Sequence, residues 1–120
     1  MDEAARKRKL VAEVNALRGG YARRYEDRWA IGLLDLFLKL PTLPPIWAEA
    51  KIIKGNVFEP TGRQHIEGER MIAAGLTVVL IGWRDNIIYV SPWVEKADRR
   101  ECVAGVDQIR TLTEYVHEPR

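Results

Sequence analysis

Three charged side chains set inside apolar runs are the residues of this chain best placed to do chemistry: Asp35, Glu49 and Lys51. Asp35 interrupts Leu33-Leu34-Asp35-Leu36-Phe37-Leu38, and Glu49-Ala50-Lys51 follows Ile46-Trp47-Ala48. Two carboxylates on one sheet face repel each other, and each is costly to bury without a compensating cation. A hard divalent ion meets that need, because Mg²⁺ takes one or two carboxylates, keeps several waters and accepts phosphate oxygens. Placed there, it would polarise a phosphate and supply a nucleophile at neutral pH, with Lys51 orienting or helping to deprotonate the attacking water. The same three residues also suit a salt-bridged, solvent-facing sheet surface, where acids and lysines are common.

The elements that must position these groups follow from periodicity. Leu34, Leu36, Leu38 and Leu40 alternate with Leu33, Asp35, Phe37 and Lys39, which predicts a strand with one pure core face. Pro41, Pro44 and Pro45 break it, and residues 46–53 resume the alternation, with Ile46, Ala48, Ala50 and Ile52 opposite Trp47, Glu49 and Lys51. If the two strands are neighbours, Asp35, Glu49 and Lys51 share one face. Residues 2–17 read as a helix carrying Leu10, Val14 and Leu17 and stopped by Gly19-Gly20. Glu3 projects from that same stripe and needs a partner, whereas Glu13 lies on its flank.

Residues 21–29 suggest a polar, aromatic first strand, and residues 55–60 a loop. A helix over 61–74 is closed by Gly75, with Thr61 and Gln64 at capping-box spacing. The continuous apolar run over 76–83 suits a strand covered on both faces. Arg84-Asp85-Asn86 turns it into a hairpin with 87–90. Ser91 and Pro92 then read as the cap and first position of a last helix reaching about residue 116, with a frayed tail after it. The order gives an α/β fold, a mixed sheet flanked by helices.

At 120 residues the chain makes one domain able to bury an ordinary core. Its 47% hydrophobic and 30% charged content is that of a globular protein. No apolar run approaches the roughly 20 residues that cross a bilayer, and no apolar signal core follows the basic N-terminus, so a soluble, cytosolic protein is expected. Cys102 is the only cysteine, which removes internal disulfides and Cys-rich zinc sites; it reads as a small buried hydrophobe. His65 and His117 are too few and too far apart for a His-based metal cluster. Net charge is only +2, but Arg6 to Lys9 and then Arg18, Arg23, Arg24 and Arg28 concentrate positive charge in the first quarter, as either a phosphate-contacting face or a solvated one. Trp29, Trp47, Trp83 and Trp93 each abut an element end and read as packing or interface residues rather than base-stacking ones.

An acidic helix residue, Gly32-Leu33-Leu34-Asp35, Glu49-Ala50-Lys51, Gln64 opening the next helix, and Gly75 followed by an apolar strand together resemble the PD-(D/E)xK nuclease superfamily. Within it the match is to the virus-type replication-repair nuclease (VRR-NUC) group, over residue 3 to about residue 92, with Leu34 standing where that family usually has Pro. The resemblance implies a restriction-endonuclease-like αβββαβ core over about 2–92 with an extra C-terminal helix over about 92–116. It implies that Asp35, Glu49 and the Ala50 backbone carbonyl bind the divalent metal, that Lys51 is the catalytic lysine, and that a first-helix carboxylate joins the ligands. Glu3 fits that place by its face, with Glu13 as the alternative. Gln64 is expected near the active site, and serves equally as a capping residue. Arg28 resembles a recurrent basic position ahead of the Gly-x-x-Asp element, and with Arg24 and Lys54 it makes the expected DNA-contacting set.

The resemblance further implies Mg²⁺ as cofactor, with Mn²⁺ able to substitute, and no nucleotide cofactor or membrane partner. Small single-domain members of the superfamily resemble Holliday-junction resolvases, which act as homodimers and cut opposing strands of branched DNA. The implied reading is therefore a metal-dependent endonuclease on four-way junctions, with a viral or prophage origin and the last helix as a candidate interface. A nuclease of flaps, nicks or single strands and a non-catalytic DNA-binding protein are the rival readings.

Overall fold

The first helix, α1 (Glu3–Asn15), is set by local chemistry at both ends. Asp2 caps it by accepting from the Ala5 N–H at 2.7 Å, and the chain leaves through Gly19 at φ 84°, a left-handed conformation that favours glycine. Its buried stripe is Lys7, Leu10 and Val14, at the spacing of one helix face. The computed structural model describes residues 1–25 and 34–117.

The elements that follow are β1 (Tyr21–Arg24), β2 (Leu36–Lys39), β3 (Ile46–Ile52), β4 (Val57–Phe58), α2 (Gly62–Ala73), β5 (Val78–Arg84), β6 (Ile87–Pro92), β7 (Ala97–Asp98), a 3-10 turn (Arg99–Glu101), β8 (Val103–Gly105) and α3 (Gln108–His117). Six strands form one sheet in the order β1-β2-β3-β5-β6-β8, while β4 and β7 make a separate small ribbon. Among the described residues only β3 and β5 run parallel. A parallel pair needs a long crossover, and α2 supplies it.

The sheet is covered on both faces. On one, α1 and α3 bury Leu10, Val14, Leu112 and Tyr115 against Leu36, Leu38, Ala48, Ala50, Ile81 and Val90. On the other, Leu34, Ile53, Phe58, Leu80, Tyr89 and Trp93 form a second cluster, with Met71 of α2 packed on it. Helix α2 opens with the capping box expected from its sequence: the Thr61 hydroxyl accepts from the Gln64 N–H, and the Gln64 side chain accepts from the Thr61 N–H. No helix among the described residues is long and apolar enough to cross a membrane.

The strand pair, the crossover helix and the hairpin match the sequence reading, and three expectations are corrected. The largest concerns the helix expected over 92–116. Strand β6 instead runs on through Pro92 and takes β8 as its edge partner, pairing Ile88 with Gly105, Tyr89 with Ala104 and Val90 with Val103. An unpaired β6 would leave a row of backbone donors and acceptors without partners, and β8 satisfies them. Helix formation waits until Asp107, whose carboxylate accepts from the Arg110 N–H at 3.1 Å. Second, Leu34 joins the other core cluster from Leu36, Leu38 and Leu40, because regular alternation begins only at Leu36. Third, the loop expected over 55–60 contains β4. Of the strand expected over 21–29, Tyr21–Arg24 forms β1, and residues 26–29 lie outside the described residues.

Gly68 is the buried residue of α2, and a Cβ built on it would lie 2.1 Å from Cε2 of the Trp93 ring. Alanine is ordinarily the better helix former, but here the clash decides the sign. Gly68→Ala is expected to destabilise the protein by about 1–3 kcal/mol in urea unfolding. A neutral or stabilising result would show that Trp93 is free to move aside.

Candidate active site

The site lies where β2 ends and β3 continues. In the antiparallel register Leu36 stands opposite Ala48, and one step further places Asp35 opposite Glu49. Strand β3 runs on to Ile52, beyond Ala48, the last of its residues with a β2 partner among the described residues. The Trp47 and Ile53 N–H groups donate toward the β5 side, to Thr77 O at 2.9 Å and Trp83 O at 2.8 Å. Backbone groups alternate in direction along a strand, so the Ala50 carbonyl and the Ile52 N–H point to the opposite edge. Helix α1 brings its first turn to that edge, and Glu3 Oε1 accepts from the Ile52 N–H at 3.2 Å.

The charges around this edge are closely interlocked. Glu49 is 1% exposed, and its Oε2 has no hydrogen-bond donor. Burial, together with the Asp35 carboxylate beside it, pushes Glu49 up to about 8, although the Lys51 and Lys7 charges pull the other way. Lys51 Nζ stands 3.5 Å from Glu49 Oε1. Lys7 is buried, and its ammonium donates both to Asp35 and, at 3.1 Å, to Glu3 Oε2. Burial opposes charge on Lys7 most strongly, but Asp35 and Glu3 together outweigh it and raise its pKa.

Four of the residues expected from the sequence are thus brought together: Asp35, Glu49, Lys51 and Glu3. The Ala50 carbonyl faces the same edge. Glu13 is elsewhere, accepting from Gln108 Nε2 of α3 at 2.7 Å, so Glu3 is the first-helix carboxylate at this site. The Gln64 side chain is engaged with the Thr61 backbone at the start of α2. Arg24 is half-buried in β1 opposite Leu36, and Lys54 is exposed just beyond β3. Arg28, Gly32 and Trp29 lie outside the described residues.

Lys7 is the residue that sequence reasoning missed. It was counted in the basic run Arg6 to Lys9, yet it falls on the stripe of Glu3, Leu10 and Val14, four residues after Glu3 and three before Leu10. A lysine on a buried stripe beside an acid was the available signal.

The remaining aromatic and thiol groups pack. Trp83 is buried and donates Nε1–H to Gln108 Oε1 at 2.7 Å, and Trp93 is buried over Gly68. Trp47 meets Phe37 edge-on at 5.1 Å and stacks on Tyr25 at 5.7 Å. Burial pushes the Cys102 thiol up to about 11, which keeps it protonated at neutral pH.

The donor set suits a hard divalent cation. Asp35, Glu49 and the Ala50 carbonyl offer oxygen only, and Glu49 Oε2 is a buried oxygen without a partner. Among the described residues no three His, Cys, Asp or Glu side chains converge as metal ligands, since Lys7 stands between Glu3 and Asp35. Two carboxylates with a carbonyl and waters are a sufficient set for Mg²⁺.

No protein-family profile matches the chain, and no curated protein matches it. Among solved structures it is similar to Hjc of Archaeoglobus fulgidus, a Holliday junction resolvase from an archaeal hyperthermophile. The TM-score is 0.64 at 12% identity, over 92% of this chain and 98% of that one. That likeness establishes the fold: a mixed, mostly antiparallel sheet flanked by helices, of the resolvase and restriction-endonuclease kind.

A carboxyl raised in the folded protein binds its proton more tightly there than in the unfolded chain. Its contribution to stability is full below the ordinary value of 4.5 and is lost as pH rises through about 8. Metal-free protein in EDTA is therefore expected to melt at progressively lower temperature across that window, and Glu49→Gln to flatten the slope. An unchanged slope in Glu49→Gln would assign the effect to other groups.

Proposed function

We propose that this chain is a metal-dependent endonuclease of the PD-(D/E)xK superfamily and VRR-NUC type, hydrolysing phosphodiester bonds in branched DNA. The observation that carries the reading is Glu49: a nearly fully buried carboxyl set beside Asp35, with one oxygen lacking a donor among the described residues. A merely structural salt bridge would neither bury two carboxyl groups side by side nor orphan an oxygen. The likeness in fold to a Holliday junction resolvase supports the same reading.

Each residue then has a task. Asp35, Glu49 and the Ala50 carbonyl would hold Mg²⁺, or Mn²⁺ in its place, with Glu3 steadying β3 through the Ile52 N–H. The ion, when bound, polarises the scissile phosphate and lowers the pKa of water. Lys51, beside Glu49 and partly open to solvent, is placed to hold a water or phosphate oxygen at the mouth of the site. Arg24, Arg28 and Lys54 would contact DNA phosphates. The twofold symmetry of a homodimer would match paired incisions in a four-way junction. Helix α3 commits Leu112 and Tyr115 to the core, whereas α2 and the turn after it expose Ile66, Ile72 and Leu76, so we place the second copy there.

The test is cleavage of end-labelled four-way junction and matched linear duplex, in Mg²⁺ and in EDTA. Paired, Mg²⁺-dependent cuts confined to the junction are expected. Asp35→Asn should keep junction binding while cleavage falls at least about a hundredfold, the loss typical of removing a transition-state charge stabiliser. Cutting of flaps or single strands instead would move the substrate assignment, and an Asp35→Asn variant as active as wild type would overturn the site.

A further inference from the structure

Lys7 has no part in the reaction outlined above, yet it is among the most buried charges of the protein. It is 7% exposed and donates to Asp35 and to Glu3. A surface ion pair would not be built this way. A buried ammonium must be fully compensated, and here its compensation comes from one carboxylate assigned to the metal and one on the adjoining edge.

We propose that Lys7 is an internal counter-cation that holds the metal site's carboxylates in the metal-free protein, and that a divalent ion binds only as Lys7 gives up its hold on Asp35. This rests on the metal-dependent reading of the site. Lys7 is a positioning residue with two opposed effects. Without metal it offsets the repulsion between Asp35 and Glu49 and keeps the Asp35 carboxylate at the end of β2. With metal arriving, it is a like charge at short range and a rival for the same oxygen, so it lowers affinity. Helix geometry reinforces the arrangement, because Glu3 and Lys7 are four residues apart on one face and move together on α1. A lysine suits this role better than an arginine. Its single ammonium on a flexible stem swings away from one carboxylate without breaking a bidentate fork, and Glu3 remains as its partner when it does so.

The experiment measures Mn²⁺ binding by calorimetry, and thermal stability in EDTA, for wild type, Lys7→Met, Lys7→Gln and Lys7→Arg. Removing the charge in Lys7→Met or Lys7→Gln should lower the melting temperature in EDTA yet tighten Mn²⁺ binding roughly tenfold or more, the effect of one nearby like charge. Lys7→Arg, which keeps the charge, should stay within a few-fold of wild type. A second readout uses the wild-type protein alone: with ¹⁵N-labelled lysine side chains, the protected Lys7 ammonium signal should shift or broaden on saturation with Mg²⁺. If the neutral variants bind Mn²⁺ no more tightly than wild type, or the Lys7 signal is unmoved at saturating Mg²⁺, Lys7 is a structural cation and the proposal fails while the nuclease reading stands. If wild-type protein takes up no Mn²⁺ at all, both fail together.

Discussion

The burial of one carboxyl group, Glu49, is the constraint around which the rest of this structure is arranged. A carboxyl oxygen without a donor inside a protein is tolerated only where its surroundings hold it. The surroundings here are specific. Lys51 stands two residues along the same strand, Asp35 faces Glu49 across the sheet, and Lys7 reaches in from α1 to Asp35. Each comes from a different part of the chain, so the balance of charge exists only when the sheet and helix are both formed.

Register is what makes the site possible. Among the described residues β2 pairs with β3 as far as Leu36 and Ala48, and beyond them α1 places Glu3 on the Ile52 N–H while Asp35 lies beside Glu49. The parallel pairing of β3 with β5 supports the strand from behind: it runs from Trp47 to Ile52 and buries Leu80 and Ile81, so the segment carrying Glu49 and Lys51 is held rigidly. Function-bearing side chains on a central strand are positioned more closely than they would be on a loop.

The same economy explains why the protein tolerates like charges side by side. Lys7 and Lys51 bring two positive charges to three carboxyl groups, and burial first, then the Asp35 carboxylate beside it, raises the pKa of Glu49. The C-terminal segment contributes by a different route. By adding β8 to the sheet edge and laying α3 over the face shared with α1, it closes the core around Leu112 and Tyr115.

Much of this was written in the sequence, because it depends on short-range rules. The alternation of Leu36, Leu38 and Leu40 against Phe37 and Lys39, the capping box of Thr61 and Gln64, and the hairpin at Asp85 all follow from backbone geometry within a few residues. The pairing of the Asp35 and Glu49 strands was legible too, since a proline-rich connection joins two runs of matched polarity. The sequence could not decide what happens after Pro92, because β8 forms only where β6 offers it a free edge, a condition set by residues about fifteen positions away. Nor could it choose Glu3 over Glu13, or pick Lys7 out of a basic run. Those assignments depend on how α1 is rotated against the sheet: Lys7 meets Asp35, 28 residues on, and Glu13 meets Gln108, 95 residues on. Which charges share a low-dielectric space is a property of packing, and only the tertiary structure fixes it.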